Sequence, residues 1–197
     1  MKKGETAMRV ITGSARGRRL GELEGMETRP TTDRVKEGMF NILQFDLEGR
    51  RVLDLFAGTG QLGIECLSRG AASAVFVDRR ADAVKLIREN LKTTDLQDRA
   101  RVVAGDSMEY LESLGEKFDI ILLDPPYAAG LLEPAIAHIA RFDILERHGI
   151  IVAEHPAGRD LPALEPPYRL HRTYRYGKIG LTVYRRGGNE ENEESTL

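Results

Sequence analysis

From residue 51 onward, short apolar runs alternate with longer segments whose apolar residues recur at helical spacing. Five apolar runs predict strands, at residues 51–56, 74–77, 101–104, 118–123 and 149–154. Four intervening segments predict helices: from the glycine-rich turn to about Ser68, from Ala81 to about Thr93, near 107–114, and from about 131 to 142. Because such alternation builds parallel strands joined by crossover helices, the sequence predicts a doubly wound α/β sheet with helices on both faces.

The two ends of the chain depart from this alternation. Residues 169–176 and 178–185 are rich in Tyr, Thr, Val and Ile, and only Gly177 separates them, which predicts an antiparallel hairpin at one edge of the sheet. At the other end, residues 9 to about 30 predict a separate small β element, and Thr31–Leu43 predicts a helix capped by Thr32 or Asp33. The expected fold is a mostly parallel seven-stranded sheet with an N-terminal hairpin and helix extension.

Length and composition are those of one soluble domain. The chain has 197 residues, 41% of them hydrophobic and 30% charged. No segment approaches the ~20 apolar residues of a membrane span, and residues 1–7 lack the apolar stretch of a signal peptide. Cys66 is the only cysteine, so internal disulfides and a cysteine-based zinc cage are excluded, and it is expected to be a buried helix residue. We expect a cytoplasmic monomer without a bound metal.

Charge is unevenly placed along the chain. Residues 187–197 hold four acids and almost no apolar residue, which predicts a disordered tail; without those acids the formal net charge of −2 becomes +2. The segment 9–20 carries four arginines and no acid, namely Arg9, Arg16, Arg18 and Arg19. With Gly13 and Gly17 it predicts a hairpin that presents arginines to phosphates, although a solvated basic face is the alternative.

The first strand is followed by a glycine-rich turn, where open α/β sheets bind nucleotides. The stretch Gly58–Gly63 matches the dinucleotide-binding fingerprint, so an NAD site has to be weighed. Asp54, however, stands at the strand end four residues before Gly58. A carboxylate there repels a pyrophosphate but favours the cationic methionine portion of S-adenosylmethionine.

Acidic residues also end the next two predicted strands. Asp78 is placed to accept both ribose hydroxyls, which suits NAD and S-adenosylmethionine equally. Asp106 is placed to accept from an adenine amino group, with a helix-capping aspartate as the alternative. Three acidic residues at successive strand ends, with no basic residue beside the glycine turn, favour S-adenosylmethionine, whose sulfonium is positively charged.

The four residues Asp124–Tyr127 follow the fourth strand as Asp-Pro-Pro-Tyr. Each proline fixes its own φ and lacks an N–H, so the carbonyls of Asp124 and Pro125 are held still as hydrogen-bond acceptors. A suitable guest is an amino group on a flat ring that stacks on Tyr127, and stacking needs the ring rather than the hydroxyl. The alternative is an ordinary strand-ending turn.

These motifs together resemble the class I S-adenosylmethionine-dependent methyltransferases that modify exocyclic amino groups. In addition, residues 8–20 and 28–43 look like the two N-terminal signatures of the RsmD family, which methylates N2 of a guanine in small-subunit (16S) ribosomal RNA. The resemblance covers roughly residues 8–186. It implies an RNA-binding extension (8–43) and a methyltransferase domain (44–186), between a disordered leader (1–7) and a disordered acidic tail (187–197).

The resemblance assigns roles by position. Cofactor contacts are expected from Asp54, Phe56, Ala57, Gly58, Thr59, Gly60, Asp78, Arg79, Asp106, Ser107, Thr32 and Arg34. Catalytic contacts are expected from Asp124, Pro125 and Tyr127, and contacts to the ribosomal RNA from Arg9, Arg16, Arg18, Arg19 and Pro126. For Arg34 the alternative is a plain surface arginine. Other functions also stay open: amino-methylation of DNA or of a protein glutamine, an NAD-binding oxidoreductase, and a non-catalytic RNA-binding protein.

Overall fold

The structure is a computed structural model that describes residues 8–23 and 33–187. It contains seven strands: β1 (Arg51–Asp54), β2 (Ser73–Asp78), β3 (Ala100–Ala104), β4 (Phe118–Leu123), β5 (Leu145–Pro156), β6 (Tyr168–Tyr176) and β7 (Ile179–Arg186). The α-helices of the described residues are α1 (Asp33–Leu43), α2 (Gln61–Ser68), α3 (Ala81–Thr94), α4 (Ser107–Ser113) and α5 (Leu132–Arg141). The predicted leader and tail lie outside the described residues, apart from Gly187.

All seven strands form one sheet in the order β3-β2-β1-β4-β5-β7-β6. The first five strands in this order are parallel to one another, and β7 runs antiparallel to both β5 and β6. The predicted fold class and the C-terminal hairpin are therefore confirmed. Strand order reverses between β1 and β4, and a crevice opens at such a reversal beyond the carboxyl ends of the strands.

Strand β5 begins four residues before its predicted start at Gly149. The added stretch opens with Leu145, which pairs with Phe118 of β4 across an irregularity in the register. His148 within it has a left-handed backbone, with φ of 62°. Its residues 146–149 are polar or glycine, so the extension gave no apolar signal in the sequence.

Each face of the sheet carries its own hydrophobic cluster. One cluster joins α1, α2 and α3 to the sheet, with Phe40, Ile64 and Phe76 fully buried; Cys66 belongs to it, as predicted. The other lies under α4 and α5. Helix α2 lies so close to β2 that a Cβ on Gly63 would stand 2.3 Å from the ring of Phe76. Only glycine fits there, because a side chain would push the helix off the strand.

The N-terminal segment 8–23 packs into the first of these clusters. Its predicted hairpin is present in minimal form, as one antiparallel bridge between Arg9 and Arg19. Val10, Ala15 and Leu20 are buried in the same cluster as the sheet. The segment is thus part of the main core, and the domain boundary at residue 43 stays a prediction.

Buried polar groups of α2 hold this segment in place. The fully buried Glu65 carboxylate accepts the backbone N–H groups of Ile11 and Thr12 at 2.8 and 2.9 Å. It also accepts Nε of Arg69 at 2.8 Å. One turn on, the Ser68 hydroxyl accepts from the N–H of Ala15 at 3.0 Å and donates to the carbonyl of Thr12 at 2.6 Å.

Within residues 8–23 and 33–187, no helix is long and apolar enough to cross a membrane.

Replacing Glu65 with Ala is expected to lower the free energy of unfolding by about 2–4 kcal/mol. The change removes the acceptor of two backbone N–H groups and of the Arg69 guanidinium. Amide hydrogen exchange at Ile11 and Thr12 should also accelerate. Urea unfolding and exchange measure the two effects, with Glu89→Ala as the control because Glu89 is 59% exposed in its pair with Lys85. Equal losses of stability in both variants would contradict the anchoring role.

Candidate active site

Two strand-end carboxylates bind the backbone of the glycine-rich turn. Gly58 and Gly60 have positive φ values of 55° and 78°, which let the chain turn sharply between β1 and α2. The Asp78 carboxylate accepts the N–H of Gly58 at 2.8 Å and the N–H of Arg80 at 2.9 Å. Since a carboxylate offers about four acceptor positions, these bonds leave Asp78 able to accept two more hydroxyl donors.

Asp54 is almost fully buried, with 1% of its surface exposed. Its carboxylate accepts the N–H of Gly63 in the first turn of α2, at 3.0 Å. Burial raises the pKa of Asp54 to about 7; the Gly63 hydrogen bond opposes the rise, and the charges of Asp124 and Asp78 add to it. The start of α2 and the glycine turn therefore already hold carboxylates where a pyrophosphate would need free N–H groups.

Asp106 and Ser107 form the start of α4. The Asp106 carboxylate caps the helix by accepting the N–H groups of Met108 and Glu109 at 2.8 and 3.3 Å. The Ser107 hydroxyl donates to the carbonyl of Leu55 at 2.8 Å, which ties α4 to the end of β1. The cofactor contacts of both residues stay predictions.

The remaining predicted cofactor residues differ in burial. Phe56 is half-buried, Ala57 is buried, and Arg79 is exposed. Thr59 is buried, and its hydroxyl points at the sulfur of Met8, 3.5 Å away. Arg34 is exposed on α1, whereas Thr32 lies outside the described residues.

The Asp-Pro-Pro-Tyr segment leaves β4 at Leu123 and turns at once. Pro125 is buried, Pro126 is exposed, and Asp124 and Tyr127 are half-buried. A short 3₁₀ turn at Tyr127–Ala129 follows, closed by a 3.0 Å hydrogen bond from the N–H of Ala129 to the carbonyl of Pro126. The segment is thus a fixed lip beside the crevice.

Glu154 belongs to the site, although the sequence reasoning missed it. It lies near the end of β5, is 4% exposed, and accepts the Tyr127 hydroxyl at 2.8 Å. The Tyr127 hydroxyl therefore has a contact that the sequence-based account did not assign. A signal was present, because Glu154 ends the apolar run 149–153 just as Asp54 and Asp78 end theirs.

The predicted arginines lie on the N-terminal segment. Arg9, Arg16, Arg18 and Arg19 are all exposed. Arg18 additionally donates to the carbonyl of Thr93 at 2.7 Å, at the end of α3. Among the described residues, no group of three or more His, Cys, Asp or Glu side chains could hold a metal ion.

Comparison with known proteins agrees with this arrangement. The family described as Conserved hypothetical protein 95 matches residues 8–185. The Escherichia coli (strain K12) protein "Ribosomal RNA small subunit methyltransferase D" is 36% identical over 191 residues, which cover 96% of each chain. The chain belongs to the RsmD family. The protein of the same name from Haemophilus influenzae is 35% identical over 83% of this chain and 84% of its own.

Solved structures of methyltransferases share the fold. One from E. coli, named as the methyltransferase yhhF, has a TM-score of 0.83 at 34% identity, covering 92% of this chain and 98% of its own. Family membership makes the chain a methyltransferase, and it decides against the oxidoreductase that the Gly58–Gly63 match alone had favoured. The individual roles of the site residues are not settled by likeness and stay predictions.

The buried carboxyl of Asp54 predicts a pH-dependent stability. Its folded pKa of about 7 lies above the unfolded value near 3.8, so the folded state favours the protonated form and loses stability as pH rises between those values. Asp54→Asn removes this loss. The free energy of unfolding of the variant, relative to the wild type, should therefore rise by about 2–4 kcal/mol from pH 4.5 to pH 8. Urea unfolding of both proteins at each pH measures it, and a constant difference would contradict the buried-carboxyl account.

Proposed function

We propose that the protein transfers a methyl group from S-adenosylmethionine to the exocyclic N2 amino group of a guanine in small-subunit (16S) ribosomal RNA. The observation that carries the proposal is the Asp124–Tyr127 lip beside the glycine turn of β1, in a chain of the RsmD family. The E. coli relative is named as a ribosomal RNA small subunit methyltransferase, which favours RNA over DNA or a protein glutamine.

The charges of the crevice support the choice of cofactor. Asp78 accepts an N–H group of the glycine turn, Asp54 accepts one from the first turn of α2, and Asp106 begins α4, which Ser107 ties to the end of β1. An anionic pyrophosphate would meet these acids, whereas a ligand with a sulfonium and an ammonium group is attracted to them. Asp78 would hold the ribose hydroxyls and Asp106 the adenine amino group, with Thr32 and Arg34 closing over the cofactor. S-adenosylmethionine supplies the activated methyl group when it is bound.

The chain's own task is to position a weak nucleophile. The lone pair of guanine N2 is delocalised into the ring, so the amine needs help to face the methyl group. The Asp124 carboxylate and the Pro125 carbonyl would accept hydrogen bonds from its two N–H groups and so direct the lone pair toward the methyl group. The Tyr127 ring would stack on the extruded base. Orientation of this kind can lower the barrier by ~7–11 kcal/mol.

Contacts to the RNA backbone would come from the N-terminal segment and from Pro126 at the lip. Arg9, Arg16, Arg18 and Arg19 are exposed on a segment that Glu65 and Ser68 fix to α2. Arginines on an anchored backbone suit phosphate binding, because little loop entropy is lost when the RNA binds.

Methyl transfer tests the proposal directly. The wild type should transfer a radiolabelled methyl from S-adenosylmethionine to small ribosomal subunits or their RNA, and not to duplex DNA or protein. Asp124→Ala should keep cofactor affinity but slow single-turnover transfer by about 100-fold or more, because the amine loses its orientation. The exposed Asp98→Ala serves as a control for folding. Transfer to DNA instead of RNA, or tight binding of NAD, would contradict the proposal.

RNA affinity should depend on the arginines of the N-terminal segment. Replacing Arg16, Arg18 and Arg19 together with Ala should weaken binding similarly for all RNA sequences. The salt dependence of log K should also flatten, by up to ~0.9 per lost phosphate contact. Filter binding at several salt concentrations measures both. The matched control removes three exposed arginines elsewhere, Arg141, Arg147 and Arg169. An equal loss in the control would mean that only net charge matters.

A further inference from the structure

Glu154 lies next to Asp124 in the sheet. The parallel register pairs Leu123, the last residue of β4, with Ala153 of β5. Asp124, just past the end of β4, therefore follows next to Glu154, which lies two residues before the end of β5. Such strands are about 4.8 Å apart. The two acids are therefore within the width of one nucleobase edge.

The Glu154 side chain also reaches the aromatic end of the lip. Its Oε1 accepts the Tyr127 hydroxyl at 2.8 Å, and the residue lines a small cleft together with Pro125, Pro126 and His155. The carboxylate thus contacts Tyr127, one of the two groups assigned to the base, from a backbone position next to Asp124, the other. Burying a carboxylate to 4% exposure is costly, and each hydrogen-bond donor that the carboxylate accepts offsets part of that cost.

The chemistry of guanine offers one such donor. Guanine carries an N1–H donor directly beside its N2 amino group, whereas adenine has a bare N1 acceptor beside its amino group. With the N2 hydrogens assigned to Asp124 and Pro125, the N1–H is the next donor along the same edge. An ionised carboxylate accepts hydrogen bonds only, and it has about four acceptor positions, so it can hold the phenol and N1–H together.

We propose that Glu154 is the residue that selects guanine, by accepting the N1–H of the target base. The inference rests on the proposed methyl transfer to a base amino group and adds the choice of base. A purine with an unprotonated N1 would set its lone pair against the carboxylate and lose the hydrogen bond. Glu154 acts in this account on substrate choice and, through the Tyr127 hydroxyl, on the position of the stacking ring.

The test uses 2,6-diaminopurine, which keeps the reacting 2-amino group but has an acceptor at N1. Two RNA substrates are compared that differ only in guanine or diaminopurine at the target position, in whichever form, free or assembled, the wild type methylates. The wild type should methylate the guanine substrate about 10- to 100-fold more efficiently. Glu154→Gln can donate to N1, so in this variant the ratio should fall towards one or invert.

Tyr127→Phe is the matched control, because it removes the phenol but leaves the carboxylate. This variant should be slower with both substrates at an unchanged ratio. A wild type that does not discriminate, or a ratio that Glu154→Gln leaves unchanged, overturns the inference. The first comparison needs no variant, so it decides even if Glu154→Gln fails to fold. A wild type that methylates no guanine RNA contradicts the proposed function instead, which keeps the two failures apart.

Discussion

Hydrogen bonding of backbone N–H groups by acids near the strand ends is the interaction on which the rest of the structure depends. Asp54 holds the first turn of α2 through Gly63, and Asp78 holds Gly58 in the turn before it. The glycines allow the sharp turn, but they do not choose one conformation, because glycine is the most permissive residue. The hydrogen bonds to the carboxylates select one backbone conformation. The acids also make the local electrostatic potential negative, which favours a cationic ligand over an anionic one.

An acidic residue can stabilise the backbone and also bind a ligand, so its structural role does not exclude a functional one. Asp106 caps α4, which confirms the helix-cap interpretation, and its contact with an adenine amino group stays a prediction. Asp78 likewise keeps acceptor capacity after binding two backbone groups. The pKa of Asp54, raised to about 7, is the cost of gathering such acids, since burial and the neighbouring charges of Asp124 and Asp78 all disfavour its ionised form.

Much of the fold was predictable from the sequence, because the spacing of apolar residues and the positions of turn residues such as glycine are local signals. Strand β4 has the predicted bounds, and the hairpin of β6 and β7 turns at Gly177 as expected. Three features depended on contacts between distant residues. The start of β5 is polar and is held by pairing with Phe118. The anchoring of residues 8–23 depends on Glu65, 53 residues away from Thr12. The Tyr127 hydroxyl meets Glu154, 27 residues on, and no spacing rule links them.

Helix α2 connects the two halves of the proposed reaction. Its first turn is tied to Asp54 and the glycine turn, and its remaining length is tied through Glu65 and Ser68 to the arginine-bearing segment. Eight residues make a helix only about 12 Å long. In the proposed reaction, this helix would set the distance between the bound methyl donor and the arginines that contact the RNA.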